Sequence, residues 1–286
     1  MNSSNNLTRS GHAIVIGGSI AGMCAARVLS DVFEQVTVLD RDTFPEQIIE
    51  RKGVPQSRHP HALLHGGRQQ LERLFPGFVE NMLSGGALEL DPGRDMATMR
   101  ADGWSTGRTT PNTLLFSSRV LIEGVIRKLS RRHKNVRCVE NIVVSGLIAA
   151  ENPQRITGVR TGKKDEEGRE LMADLVVDAS GRGTRIVDWL SELGIAAPEQ
   201  TVVDANSGYS TRWYQGPSEA DRPQEWWWRS LWIEPVSEDP ERPEEGYFGL
   251  LFPIEGDRWI VTTAPWGGQD LPRDGASFEA MISKLC

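Results

Sequence analysis

The chain has 286 residues, of which 38% are hydrophobic and 25% charged, values that are ordinary for a folded globular protein. Its formal net charge of −7 excludes the basic excess expected of a general nucleic-acid binder. Cys24, Cys138 and Cys286 are far apart and odd in number, so they indicate no disulfide framework or thiolate metal site. The N-terminus lacks the apolar segment of a secretory signal, and the longest apolar stretch, Ile142–Ala150, is too short to span a bilayer. We therefore expect a soluble protein of the reducing cytoplasm.

The first predicted unit is a strand, a glycine-rich turn, a helix and a second strand within Ala13–Asp42. The apolar run at positions 13–16 is typical of a buried strand, and the next strand, Val36–Leu39, ends at the acidic Asp40. Glycines in such a turn let the backbone approach a pyrophosphate, to which the helix N-terminus offers N–H groups and positive dipole. Asp40 lies about twenty residues beyond the turn, where a carboxylate accepts hydrogen bonds from a ribose. The sequence therefore predicts a dinucleotide site formed by Gly17, Gly18, Ser19, Ile20, Ala21, Gly22 and Asp40.

Ser19 departs from the Gly-x-Gly-x-x-Gly pattern, which requires glycine at that position. Serine is small, and its hydroxyl can itself reach a phosphate oxygen. Such turns also join strands to helices in proteins that bind no ligand. Because the flanking strands, the helix and the terminal acid all occur in register here, the dinucleotide site is the preferred interpretation.

A helix is predicted from the apolar positions between Leu63 and Phe75, and Pro76-Gly77 marks its end. His61 and His65 would be i,i+4 neighbours that could face one metal ion, with His59 nearby. No acidic or thiolate partner stands at a diagnostic spacing, so we predict no metal site.

Residues 81–113 are rich in glycine and predict loops with short strands. Ser117-Ser118 then predicts the N-cap of a helix with an apolar face between Val120 and Leu129. Basic residues follow at its end, and they suit a helix C-terminus and a solvated face, so we assign them no partner: Arg127, Lys128, Arg131, Arg132 and Lys134.

An antiparallel meander is predicted from three strand-like segments, Val136–Ala150, Arg155–Thr161 and Glu170–Ala179. Turns at Asn152-Pro153 and Lys163–Gly168 separate them. A helix over Arg185–Leu193 follows and ends at Gly194.

Strand signals dominate after about residue 198, at Tyr209–Tyr214, Trp226–Ile233, Tyr247–Pro253 and Arg258–Ala264, with a hairpin turn at Ile254–Asp257. A group of tryptophans in this part would either line an apolar substrate pocket or belong to the core. The sequence leaves both alternatives open for Trp226, Trp227, Trp228 and Trp232.

Four segments in this order resemble the flavoprotein hydroxylases and epoxidases related to para-hydroxybenzoate hydroxylase and squalene epoxidase. They are Val15–Gly22 with Val38–Asp42, Arg51–Gln56 with His59–Leu64, Ser118–Glu123, and Asp178–Gly183. The second segment also resembles a bacterial branch that includes epoxidases of polyether polyketide biosynthesis. The resemblance implies an α/β fold with a Rossmann-like FAD-binding domain and β-meander (1–80 and 115–197), plus a strand-rich substrate-side domain of α+β type (81–114 and 198–286).

The resemblance also implies roles for single residues around FAD. Gly17, Ser19, Ile20, Ala21 and Gly22 would hold the pyrophosphate, Asp40 the adenosine ribose, and Arg41 would lie by the adenine. Arg51 and Arg119 would reach the phosphates or the ribityl chain, Val144 would meet the adenine through its backbone, and Asp178 would organise turns near the cofactor.

Each of these roles has a plainer alternative. Arg119 and Glu123 could pair on a helix surface as i,i+4 neighbours, a contact worth a few tenths of a kcal/mol. Arg51 could be a solvated loop charge, and Asp178–Gly181 could be turn chemistry alone.

The reaction that the resemblance implies is monooxygenation. NAD(P)H would reduce FAD as a transient electron donor, and a flavin hydroperoxide would pass oxygen from O₂ to a small apolar aromatic or alkene substrate. The protein would position the substrate and exclude water. We assign no catalytic residue. A flavoprotein reductase of isoprenoid chains and a non-catalytic nucleotide-binding fragment are the alternatives.

The chain departs from the family near its end. Family members continue with a Gly-Asp segment and a Pro-x-x-Gly-Gln-Gly-like loop, and nothing after Tyr247 matches either; Gly267–Asp270 is a different motif. We therefore expect a C-terminally truncated form in which the second domain is incomplete. Substrate identity and oligomeric state stay open.

Overall fold

The computed structural model describes residues 9–151, 155–162, 168–204, 207–235, 246–266 and 270–285. The predicted turn at Asn152-Pro153, residues 163–167 of the next turn and residues 267–269 lie outside these ranges. The chain divides into two compact units, the first formed by 1–55, 72–78 and 123–201 and the second by 56–71, 79–122 and 202–286. Residues 56–71 and 115–122, which the sequence prediction gives to the FAD-binding domain, thus belong to the second unit.

The strands are β1 (His12–Ile16), β2 (Gln35–Leu39), β3 (His61–Leu63), β4 (Leu88–Leu90), β5 (Met96–Arg100), β6 (Gly103–Trp104), β7 (Leu114–Ser117), β8 (Val136–Val139), β9 (Val144–Ala149), β10 (Ile156–Thr161), β11 (Arg169–Met172), β12 (Leu175–Asp178), β13 (Ser210–Gln215), β14 (Ser230–Ile233), β15 (Gly246–Ile254) and β16 (Arg258–Trp266). The helices are α1 (Ile20–Leu29), α2 (His65–Leu74), α3 (Phe78–Ser84), α4 (Arg119–Ser130), α5 (Ile186–Glu192) and α6 (Gly275–Ile282). Among the described residues, none of the helices combines the length and apolar character that crossing a membrane requires.

The first unit is built on a parallel sheet with the strand order β12-β1-β2-β8. When the four strands are numbered in chain order and read from the β8 edge, the sheet has the order 3-2-1-4, as in doubly wound dinucleotide-binding folds. An antiparallel meander, β11-β10-β9, forms a second sheet. Ile14 and Leu39 of the parallel sheet share one apolar core with Leu147 and Val159 of the meander and Trp189 of α5. The predicted α/β fold with a parallel sheet and a meander is therefore confirmed.

Two of the predicted meander strands are each divided between the two sheets. Val136–Ala150 is interrupted after β8, where Asn141 adopts a left-handed φ of 57°. Glu170–Ala179 is divided before β12, where the Asp174 carboxylate accepts the N–H of His12 at 2.9 Å. The meander prediction is wrong for β8 and β12, because these short strands complete the parallel sheet instead.

The predicted helix over Leu63–Phe75 begins only at His65. The residues before it form β3, which pairs antiparallel with β7 from His61↔Ser117 onward. Pairing with a strand that is distant in sequence outweighs the local helical pattern at these positions. His61 and His65 therefore do not share a helix face, and the i,i+4 arrangement considered for a metal ion is wrong.

The second unit is strand-rich, as predicted. Its larger sheet has the order β13-β16-β15-β14-β5-β6, and a smaller antiparallel sheet has the order β3-β7-β4. The predicted hairpin turn between β15 and β16 is confirmed, with Gly256 at φ 76° and Asp257 at φ 51°. Leu250 and Phe252 of β15 pack against Phe116 of β7 in the core of this unit.

Ser118 caps α4, as the sequence predicts. Its hydroxyl oxygen accepts the N–H of Leu121 at 3.1 Å, and the same hydroxyl donates to Glu255 Oε1 at 2.5 Å. Glu255 Oε2 also accepts the Ser118 N–H at 3.0 Å. Ser118 is fully buried, so the cap is shielded from water.

We expect Ser118→Ala to lower the free energy of unfolding by about 1–2 kcal/mol, because the substitution removes an N-cap and deprives the Glu255 carboxylate of a donor. Urea unfolding followed by circular dichroism measures the change. Ser145→Ala is the control, since its hydroxyl makes one 3.3 Å bond to the Arg160 carbonyl and its loss should stay within about 0.5 kcal/mol. Equal losses in the two variants would contradict the capping role.

Candidate dinucleotide-binding site

The turn after β1 is closed by glycines at positions that have no room for a side chain. Gly17 adopts φ 98°, and a Cβ there would lie 2.5 Å from the Ala179 carbonyl oxygen. A Cβ at Gly22 would overlap the Gly17 carbonyl oxygen, and one at Gly18 would overlap the ring of Phe44. These glycines let α1 begin directly against the turn, so backbone rather than side chains faces a ligand.

The N-terminus of α1 has no side-chain cap. Ser19 occupies the N-cap position without making a capping hydrogen bond, and its hydroxyl donates instead to Glu123 Oε1 at 2.5 Å. The first intrahelical bond runs from the Met23 N–H to the Ser19 carbonyl at 2.9 Å. The N–H groups of the first helical turn therefore point out of the helix at its positive end, which suits an anion: Ile20, Ala21 and Gly22.

Asp40 lies directly after β2, beside this turn, and is 9% exposed. Its Oδ2 accepts the Gly18 N–H at 2.7 Å, and its Oδ1 accepts the Asp42 N–H at 2.9 Å. Oδ2 also accepts a hydrogen bond from Arg51 Nη1 at 3.5 Å. A carboxylate oxygen has two lone pairs, so Oδ1 keeps acceptor capacity for a ligand hydroxyl. The structure thus brings the predicted acid to the predicted glycine turn.

A buried guanidinium joins two carboxylates next to the turn. Arg51 Nη1 lies 3.5 Å from Asp40 Oδ2, and Arg51 Nε lies 3.6 Å from Glu123 Oε2. The guanidinium also lies over the Phe44 ring, 5.0 Å from its centroid. Arg51 is 8% exposed, so the alternative of a solvated loop charge is wrong. Among the described residues its Nε has no hydrogen-bond partner, which leaves a buried donor available to a ligand oxygen.

A cavity opens at the carboxyl ends of β1, β2 and β12, where ligands bind in open α/β sheets. It is lined by Ile16, Gly17, Gly18, Ser19, Leu39, Asp40, Arg41, Arg51, Gly53, Ile142, Val143, Val144, Ala179, Ser180, Gly183, Arg185 and Trp189. Its volume of about 200 Å³ lies below the roughly 300–1,000 Å³ of sites for drug-sized ligands. The cavity therefore suits one part of a dinucleotide rather than the whole.

Asp178 holds the turn that follows β12. Its Oδ1 accepts the Ser180 N–H at 2.9 Å, and its Oδ2 accepts a hydrogen bond from the Thr184 hydroxyl. Ala179, Ser180 and Gly183 of this turn line the cavity. Asp178 therefore holds a turn that borders the cavity, and its role toward a cofactor stays a prediction.

Sequence reasoning missed two residues of the site. The sequence indicates only the helix neighbour Arg119 as a contact of Glu123, whereas the Glu123 contact with Ser19 spans 104 positions of the chain. Trp189 lines the cavity at 4% exposure, and its buried Nε1 has no hydrogen-bond partner among the described residues. A tryptophan at an apolar helix position carries no signal that separates core from site.

Arg119 is the first residue of α4 and belongs to the second unit, so its contact with a cofactor stays a prediction.

The tryptophans of the second unit differ in their surroundings, because one lies against the core and others lie at an apolar cavity. Trp232 packs against the core of that unit. Trp227 and Trp228 line an apolar cavity together with Trp104, and Trp226 stacks on Trp228 with ring centroids 4.9 Å apart. The sequence could not separate them, because strand alternation is interrupted before β14 begins at Ser230.

The histidines near β3 are engaged in other contacts. His59 Nδ1 lies 2.9 Å from Thr211 Oγ1, and His61 Nδ1 lies 2.8 Å from the His59 carbonyl oxygen. Within the described part of the chain, no group of three or more His, Cys, Asp or Glu residues is arranged to hold a metal ion.

No protein-family model matches the chain. A curated relative, the protein Rv3254 of Mycobacterium tuberculosis, is 38% identical over 215 residues. The match covers 72% of this chain and 45% of the relative, so the chain spans less than half of that protein's length.

Solved structures of other proteins share the fold. The chain is similar to 2-methyl-3-hydroxypyridine-5-carboxylic acid oxygenase with a TM-score of 0.65 and 19% identity, over 96% of this chain and 65% of that one. It is also similar to PqsL, a probable FAD-dependent monooxygenase from Pseudomonas aeruginosa, with a TM-score of 0.64 and 13% identity, over 88% of this chain and 60% of that one. The chain therefore has the fold of these proteins and spans less than two thirds of their length.

Proposed function

We propose that this chain binds FAD and belongs to a monooxygenase that uses NAD(P)H and O₂ to hydroxylate or epoxidise a small apolar aromatic or alkene substrate. The observation that carries the proposal is the uncapped N-terminus of α1, which lies beside Asp40 at the carboxyl ends of the parallel strands. The likeness in fold to an oxygenase and a probable FAD-dependent monooxygenase supports it.

The residues present fit the cofactor. The glycine turn lacks room even for a Cβ at Gly22, and the donors of the first turn of α1 lack a side-chain cap, as a pyrophosphate requires. These donors would hold the pyrophosphate, Asp40 would accept a ribose hydroxyl, and Arg51 would donate to a phosphate oxygen. Arg41 and Val144 would flank the adenine, Arg119 would reach the phosphates or the ribityl chain, and Asp178 would hold the turn beside the cofactor.

When bound, FAD would supply the electron transfer and the activation of O₂, for which protein side chains have no equivalent. The chain's own residues would bind and orient the cofactor and shield the reaction from water. The apolar cavity of Trp104, Trp227 and Trp228 supports an apolar substrate, because it offers aromatic surface without charged side chains.

Two other functions are compatible with the same dinucleotide site. One is a flavoprotein reductase of isoprenoid chains, and the other is a nucleotide-binding protein without catalysis. Consumption of O₂ together with NAD(P)H would support the monooxygenase, whereas NAD(P)H oxidation coupled to substrate reduction without O₂ uptake would contradict it.

The test of the proposal is the visible absorption spectrum of the purified 286-residue chain before and after addition of FAD and then NADPH. We expect a protein-bound flavin spectrum that bleaches with NADPH and returns in air. A folded protein that shows no spectrum of bound flavin after addition of FAD would contradict FAD binding. Bound FAD that NADPH fails to bleach would support FAD binding and contradict the NADPH-dependent reaction of this chain.

We expect Asp40→Asn to weaken FAD affinity about tenfold or more, because a hydrogen bond to a charged group contributes about 1.5–3 kcal/mol. Quenching of flavin fluorescence measures the dissociation constant. Asp31→Asn is the matched control, since Asp31 is an exposed carboxylate just after α1 that pairs with Arg27 at 2.8 Å. Equal FAD affinity in the Asp40→Asn variant and the wild type would contradict a contact between Asp40 and FAD.

A further inference from the structure

The basic end of α4 contributes to a cavity of the first unit, where the sequence predicts a solvated face. Phe44, Arg127, Ser130, Arg131, Cys138 and Glu140 line this cavity. It shares no lining residue with the dinucleotide cavity. Arg127 is 7% exposed, so the solvated-face prediction is wrong for this residue.

The described residues compensate the Arg127 charge only in part. Its guanidinium makes no hydrogen bond or ion pair with them, although the residue is buried. Burial lowers the pKa of Arg127 and nearby Arg51 lowers it further, whereas Glu123 opposes the shift. A buried guanidinium without a hydrogen-bonded partner favours an anion that enters the cavity.

The donors in the cavity match a phosphate group. Arg127 and Arg131 are i,i+4 neighbours on α4, and the planar guanidinium fork donates two parallel hydrogen bonds to phosphate oxygens. Ser130 already donates its hydroxyl proton to the Ile126 carbonyl at 2.8 Å, so the arginines supply the donors. Glu140 opposes an anion, which leaves the charged lining with two positive groups against one negative group.

We propose that this cavity is a second anion site, which binds the phosphate group of a small molecule through Arg127 and Arg131. The cavity measures about 300 Å³, and a water molecule takes about 30 Å³ in the liquid, so a phosphate fits with room to spare. The site lies wholly within the first unit. It does not depend on FAD binding, and its test can succeed or fail independently of the proposed function.

Cys138 provides a local readout, because the residue is exposed and lines the cavity. The test measures the rate at which iodoacetamide alkylates Cys138 in the full chain, followed by mass spectrometry of the Cys138 peptide. We expect inorganic phosphate to slow this reaction at least threefold and sodium chloride of equal ionic strength to leave it unchanged. Alkylation of Cys24, which lies on α1, is the internal reference and should not respond. Equal Cys138 rates with phosphate and with chloride would overturn the proposal.

Three variants locate the effect. Arg131→Met, which changes an exposed side chain and should fold, is expected to abolish protection by phosphate, as is Arg127→Met. Glu140→Gln removes the opposing charge and should lower the phosphate concentration needed for half-protection at least threefold. Arg137→Met is the matched control, since Arg137 is an exposed arginine of β8 outside the cavity lining. Protection that persists unchanged in Arg131→Met would overturn the proposal.

A comparison of ribose 5-phosphate with inorganic phosphate shows whether the ligand is a phosphate monoester or the free phosphate ion. Protection at a lower concentration than inorganic phosphate would support a phosphate monoester as the ligand. Protection by inorganic phosphate alone would support the free ion. Protection by neither compound would overturn the site.

Discussion

Gly22→Ala is expected to lower the free energy of unfolding by about 3 kcal/mol, at the upper end of the cost of inserting a methyl group into a packed site. The added Cβ would overlap the Gly17 carbonyl oxygen and lie 2.9 Å from the Gly17 carbonyl carbon. Both atoms belong to the backbone of the turn, so no side chain can rotate away. Relief requires α1 to move off the turn, and the N–H groups proposed to hold the pyrophosphate move with it. We therefore also expect FAD binding to be lost at temperatures where the variant is folded.

Chemical unfolding measures the first effect and flavin fluorescence the second. Gly66→Ala is the matched control, because Gly66 lies in α2 and a Cβ there would meet nothing within 4 Å. Alanine is the better helix former, so this control should gain up to about 1 kcal/mol of stability. If Gly22→Ala unfolds like the wild type and binds FAD equally well, the close approach of helix and turn is not needed.

Arg51→Met is expected to destabilise the chain by about 3–5 kcal/mol, the usual cost of removing one partner from a buried ion pair. Methionine fills much of the arginine volume but removes the positive charge beside the Asp40 and Glu123 carboxylates. Asp40 and Glu123 are 9% and 8% exposed, so water compensates the lost charge poorly. The variant should also bind FAD more weakly, because the Arg51 donors are proposed to reach a phosphate oxygen.

Urea unfolding of Arg51→Met is compared with Arg41→Met, which removes the same charge from an exposed position and should change stability by no more than about 0.5 kcal/mol. The double variant Arg51→Met/Glu123→Gln should recover part of the loss, since it neutralises one of the two carboxylates that lose the Arg51 charge. A double variant less stable than Arg51→Met would show that the ion pair is not the source of the loss.

The sequence by itself determined the dinucleotide turn and the acid after β2. The strand, the glycines, the helix and Asp40 lie within Ala13–Asp42, so spacing along the chain is enough to place them together. The cap at Ser118 and the hairpin turn at Gly256 followed for the same reason, because each depends on residues a few positions apart.

Only the tertiary structure decided which distant segments complete the site. Hydrophobic periodicity reports that a segment is a strand but not which strand it pairs with, so β8 and β12 were placed in the meander. The contact of Ser19 with Glu123 and the burial of Arg127 likewise depend on where α4 packs, and a basic helix end looks the same in sequence whether water or protein covers it. Local order follows from short-range backbone chemistry, whereas burial and charge pairing depend on neighbours that the chain order does not specify.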